Sequence, residues 1–206
     1  MLLLLGAPLF IRAEKGFTPV FDGKSLDGWT LVGKKGPGYL VEKGRVVCPA
    51  DGGGNIFAPK EYSNFVLRLE YRLAEGGNNG VGIRAPIEGR ISRVGMEIQI
   101  LDDEAKVYKD RLSPAQYNGS VYGVLPCRRG YLKRPWKWNR MEITANGPRI
   151  TVNLNGVVIV DGDLSRVREP RVLEAHPGIR RTSGRIGFLG HSTRVEFRNI
   201  RIKELP

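Results

Sequence analysis

Between Trp138 and Gly162 the chain reads WNRMEITANGPRITVNLNGVVIVDG, and two Asn-Gly pairs, Asn146-Gly147 and Asn155-Gly156, cut it into three β-rich runs. Asn-Gly readily supplies the positive backbone dihedrals of tight hairpins, so the segment reads as a three-stranded antiparallel meander. Parallel pairing would need long crossover connections, usually helices, and no window shows a helical period longer than two turns. The nearest, DLSRVREPRVLE, is interrupted by Pro170. Elsewhere strand-like alternation recurs. FVLRLEYRL puts Phe65, Leu67, Leu69, Tyr71 and Leu73 on one face, and NNGVGIRA puts Val81 and Ile83 opposite Gly80, Gly82 and Arg84. GRIGFLGHSTRVEFRNIRIKEL reads as two more strands. In the second, Val195 and Phe197 are out of phase with Ile200 and Ile202, which calls for a bulge near Arg198-Asn199 or apolar packing on both faces. Ten to twelve short strands without crossover helices predict an all-β fold of two antiparallel sheets packed face to face.

A length of 206 residues fits one domain, expected over residues 17–206. The apolar stretch from Leu2 to Ile11 has the length of a signal-peptide core but lacks preceding basic residues. Residues 1–13 therefore read as a truncated export signal, with an N-terminal arm as the alternative. Export to the periplasm or the extracellular space is the expectation, and no other segment approaches the length of a membrane span. Cys48 and Cys127 permit one bridge and no metal cluster of their own. The formal charge of +12 invites a nucleic-acid partner, but much of the excess is dispersed on strands, as with Arg68 and Arg72. No recognition helix, zinc finger or RNA-binding signature accompanies it, so a nucleic-acid partner is not expected.

One strand carries polar residues where they invite a question. In GMEIQILDDE, residues 95–104, Met96, Ile98 and Ile100 alternate as a buried face should, while Glu97 and Gln99 share the other side. A solvated sheet face carries such residues routinely. On the outer face of a curved sheet they would instead floor a ligand cleft, where a carboxylate exchanges protons and an amide both donates and accepts hydrogen bonds.

Several segments, in order, resemble the 3-keto-disaccharide hydrolase domain family: FTPVFDGKSLDGWT, NNGVGIRA, GMEIQILDD, GSVYGVLP, WKWNRMEI with VNLNGVVIVD, and SGRIGFLGHSTRVEFRNIRIKEL. They cover nearly the whole chain from Phe17 to Leu205. The resemblance implies a jelly-roll sandwich of the concanavalin-like lectin and glucanase type, with a sugar-binding face acting on glycosides already oxidised to a ketone. Its recurrent polar positions match Arg84, Glu97, Gln99, Asp102, Tyr122 and His191. Two departures stand out: a serine often seen in the family is Asn79 here, and Ser192 replaces the glycine that commonly follows the histidine.

On this basis His191 and Glu97 are the expected catalytic pair, with Arg84, Gln99, Tyr122 and Asn79 holding substrate. A keto-glycoside is cleaved by elimination: a base takes the proton beside the ketone, an enolate forms, and the anomeric substituent leaves. Arg84 or a divalent metal ion, with Glu97, Asp102 and His191 as its candidate ligands, would hold the enolate's charge. Trp138 is read as core, and His176, in EAHPG, as a loop residue. Two rival readings remain. A lectin-like glycan-binding module needs Gln99, Arg84 and the aromatics but no base. A retaining glucanase would pair Glu97 with Asp102, five residues on, which requires a bulge because an odd spacing turns side chains to opposite faces.

Overall fold

The computed structural model describes residues 14–206; the stretch read as an export signal or arm lies outside them. Thirteen strands form two antiparallel sheets. The larger contains β1 (Thr18–Pro19), β3 (Leu40–Glu42), β4 (Arg45–Cys48), β6 (Phe65–Leu73), β9 (Asn139–Asn146), β10 (Arg149–Leu154), β11 (Val157–Asp163) and β13 (Val195–Glu204). Its order is β11-β10-β9-β6-β13-β4-β3, with β1 also on β13. The smaller runs β2-β5-β12-β7-β8, from β2 (Thr30–Lys35), β5 (Gly53–Tyr62), β7 (Asn78–Ala85), β8 (Met96–Leu101) and β12 (Gly184–His191). Two short helices, α1 (Ile91–Val94) and α2 (Pro170–Ala175), lie in connections. No helix of the described residues is long and apolar enough to cross a membrane.

The predicted meander is β9-β10-β11. Its second turn uses Asn155 and Gly156, both at positive φ, as expected. In the first, Asn146 pairs with Arg149, so the two-residue loop is Gly147-Pro148 rather than Asn-Gly. The bulge in β13 falls between Arg198 and Arg201, with Asn199 at φ 53°. Pro170 does not break a helix but begins α2, where its missing N–H leaves no bond unmade.

The two sheets enclose one apolar core. Met96, Ile98 and Ile100 of β8 face Tyr71, Ile143, Phe188, Phe197 and their neighbours in a single buried cluster. Each such side chain contributes roughly 1.5–3 kcal/mol relative to exposure. A one-residue slip of β8 would send all three into solvent and Glu97 and Gln99 into the core, so the register that builds the cleft is also the register that builds the core.

The outer face of the larger sheet is an arginine–glutamate lattice. Arg45, Arg72 and Arg194 converge on Glu196, Arg68 bonds Glu142, and Arg198 bonds Glu70. Trp138, expected in the core, lies on this face: the guanidinium of Arg198 sits 3.9 Å from its ring centre and that of Arg72 5.0 Å. A cation over the indole face supplies the partner that the core would otherwise have given. Cys48 and Cys127 are both free thiols.

Candidate functional site

The outward face of the smaller sheet carries a cleft of about 200 Å³. Its floor follows from strand alternation. β8 turns Glu97 and Gln99 outward, β7 turns Asn78, Gly80 and Gly82 outward, and β12 turns Leu189 and His191 outward. Asn55 of β5, paired with Leu189, extends the floor by one strand. Gly80 pairs with Gln99 and Gly82 with Glu97. Because β7 presents two glycines between its polar neighbours, the β8 side chains can lie across it: a β-carbon on Gly80 would sit 2.7 Å from Glu97 Cγ.

The walls come from loops. Residues 119–122 dock on the free edge of β8, where Gln99 N–H donates to Ser120 O at 3.0 Å, Gly119 N–H to Gln99 O at 2.8 Å, and Tyr122 N–H to Glu97 O at 2.9 Å. This covers an edge that would otherwise be open for pairing and brings Tyr122 into the cleft. Opposite, Arg90 and the first residues of α1, Ile91 and Ser92, complete the lining, with Arg90 Nε donating to Ser92 Oγ at 3.2 Å.

Glu97 is 7% exposed, and burial pushes its carboxyl up to about 7, opposed only by the positive charge of Arg90. His191 stands at the exposed mouth of the cleft, where it and Lys35 pair with the same residue, Gly53. Partial desolvation, followed by the charges of Lys35 and Arg90, holds its imidazole below the ordinary histidine range. A carboxyl raised to about 7 and an imidazole whose neutral form is favoured therefore share one cleft. Gln99 is held by its own chain, its Oε1 accepting from Ile100 N–H at 3.2 Å.

Three expected site residues lie elsewhere. Asn79 is one position out of phase: fully buried, it points between the sheets, donates to Tyr39 Oη and accepts from Leu189 N–H. Asn78 takes its place in the cleft, with an Oδ1 that is buried and has no hydrogen-bond partner among the described residues. Arg84 leaves the face because its φ of 46° breaks the strand alternation. Its guanidinium ties distant turns together, donating to Ser63 O, Gly147 O, Arg181 O and Asn64 Oδ1. Arg90 is the arginine of the cleft. Asp102 accepts from Gly76 N–H at 2.9 Å, closing the turn before β7, and does not line the cleft.

That last placement removes two readings. Glu97, Asp102 and His191 do not form a shared metal site, and no group of three or more His, Cys, Asp or Glu among the described residues is arranged to hold an ion. Nor do the described residues give the cleft the second carboxylate that a retaining glucanase needs, since Glu97 is the one acidic residue among them in its lining.

His176, read as a loop residue, serves the cleft from behind. Its Nδ1 bonds Ser92 O at 2.6 Å, and its ring meets that of Tyr122 edge to face at 6.4 Å. It thus joins both walls. Gln116 Nε2 donates to Tyr122 Oη at 3.0 Å from the other side. Nothing in EAHPG itself marks this role; it arises from the packing of the segment after α2 against α1.

Comparison with known proteins agrees with this architecture. A 3-keto-disaccharide hydrolase of Bacteroides thetaiotaomicron is 26% identical over 92% of this chain and 79% of its own. The crystal structure of a glycosyl hydrolase candidate from Parabacteroides distasonis superposes with a TM-score of 0.75 at 26% identity, covering 92% of this chain and 99% of the other. The carbohydrate-binding module CBM66 from Bacillus subtilis shares the fold at a TM-score of 0.52 and 13% identity, over 86% of this chain and 96% of its own. The model of the 3-keto-alpha-glucoside-1,2-lyase-like domain matches residues 16–203, and the chain belongs to that family.

Proposed function

We propose that the cleft cleaves the glycosidic bond of a 3-keto-glycoside by elimination followed by addition of water. The observation that carries this reading is Glu97, a carboxyl pushed to about 7 on the floor of the cleft whose mouth holds His191. A ring ketone acidifies the C–H bond beside it. Neutral His191 removes that proton, and the electron pair passes into the enolate. The enolate then re-forms the ketone, a carbon–carbon double bond forms, and the bond to the anomeric oxygen breaks. Glu97 in its acid form gives the departing oxygen its proton. Water adds across the double bond to give the free keto sugar.

Arg90 takes the part first assigned to Arg84. Its positive charge acts on both Glu97 and His191, which puts it within electrostatic reach of an enolate formed between them. Gln99, Asn78 and Tyr122 supply the hydroxyl contacts and the ring surface that orient a sugar. The family membership and the name of the Bacteroides relative support the substrate class.

The test is incubation of purified protein with a disaccharide oxidised to the 3-ketone and with its unoxidised parent, each with and without a chelator. Release of monosaccharide from the keto form alone is the expected result. Binding without release would overturn the catalytic reading in favour of a glycan-binding module, and the chelator arm reports whether a divalent ion takes part.

A further inference from the structure

Sharing no lining residue with the cleft, a second pocket of about 550 Å³ opens between the β9–β10 turn and the segment from Leu164 to Thr182. Leu164, Val167, Leu173 and Ile179 supply its apolar surface. Every ionisable side chain in its lining is an arginine: Arg84, Arg168, Arg180 and Arg181. None of the four forms an ion pair among the described residues.

Arg84 makes this arrangement costly. It is 2% exposed, and all four of its hydrogen bonds end on neutral oxygens. Its role in joining turns accounts for those bonds but leaves its charge unneutralised, in a pocket that three further arginines line. A buried cation is ordinarily paired. A guanidinium has five N–H groups, so one donor of Arg84 remains without a partner among the described residues. We propose that this pocket binds a small organic anion, an oxyanion head on an apolar body, with the head on the arginines and the body against Leu164, Leu173 and Ile179. Arginine suits such a head because its planar fork meets two oxygens at once.

The experiment is titration calorimetry at low ionic strength with octanoate, phenyl phosphate and, as the uncharged comparison, octanol. Saturable one-to-one binding of at least one anion, about tenfold or more tighter than octanol, is expected. Whichever head binds better distinguishes a carboxylate from a phosphate ester. The double variant R168A/R180A, both exposed positions, should weaken that binding about tenfold, roughly the loss of one charge-assisted hydrogen bond, while the control R111A/R134A, equal in charge, should not. Val167→Trp, which fills the pocket without changing charge, should block binding. The proposal fails if the anions bind no better than octanol, if the control pair weakens binding as much as the pocket pair, or if V167W binds normally.

Discussion

Glu97 occupies the space that a side chain on Gly80 would need. The neighbouring strand pairs with β8 in unbroken register there; it simply lacks a β-carbon at the place where the carboxylate crosses it. The proposed catalysis therefore depends on a glycine whose own φ is unremarkable and whose importance is spatial.

Gly80→Ala should displace the carboxylate, because the new methyl would lie 2.7 Å from Glu97 Cγ. A misplacement of about 1 Å in a catalytic group costs on the order of 10²-fold in rate, and that fall in kcat is expected with the fold retained by circular dichroism. Unaltered kcat would show that Glu97 does not act from this position.

Stability should report the burial of Glu97. Its folded pKa, about 7, stands above the ordinary glutamate value of 4.5, so the folded state holds the proton more tightly than the unfolded. The resulting stabilisation is fully present below pH 4.5 and is lost as pH rises to 7. The difference corresponds to about 3 kcal/mol, and urea melts of the wild type should lose roughly that much across this interval relative to Glu97→Gln. Parallel pH dependences in the two proteins would contradict the assigned burial.

Arg84→Met should destabilise the fold by about 2–4 kcal/mol, because it leaves the carbonyls of Ser63, Gly147 and Arg181 without their donor. Denaturant melts that match the wild type would mean that the turns hold without it.

Asn78→Ala separates substrate contact from support of the fold. Its buried Oδ1 has no partner among the described residues, so removal costs little stability, whereas a hydroxyl contact to substrate would be lost. KM for the keto-glycoside should rise about tenfold, near 1.4 kcal/mol, with the melting temperature held. An unchanged KM would remove Asn78 from the site.

What could be read from the sequence was what strand period determines. Met96, Ile98 and Ile100 point inward and Glu97 and Gln99 outward because alternation is enforced by burial on one side. The same rule misled at Arg84, where a single positive φ cancels it, whereas carried back from Gly80 and Gly82 it puts Asn78, not Asn79, on the cleft side, so the assignment of Asn79 followed the family pattern against the strand period. Trp138 was misread because an arginine lattice can accommodate an indole as well as a core can. Arg90, Ser92 and His176 were not legible at all: Arg90 and Ser92 reach the cleft through the irregular turn into α1, and His176 meets Ser92 across more than eighty residues of chain.

The most direct measurement is the pH dependence of kcat/KM on a 3-keto-disaccharide for the wild type and Glu97→Gln. With His191 as base and Glu97 as acid, the wild-type rate rises as the imidazole loses its proton below pH 6.5 and falls as the carboxyl loses its own near 7. In Glu97→Gln the falling limb disappears and the rate drops by about 10²–10⁴. A wild-type rate that climbs through pH 7 to a plateau, with the same profile in Glu97→Gln, would contradict the assignment.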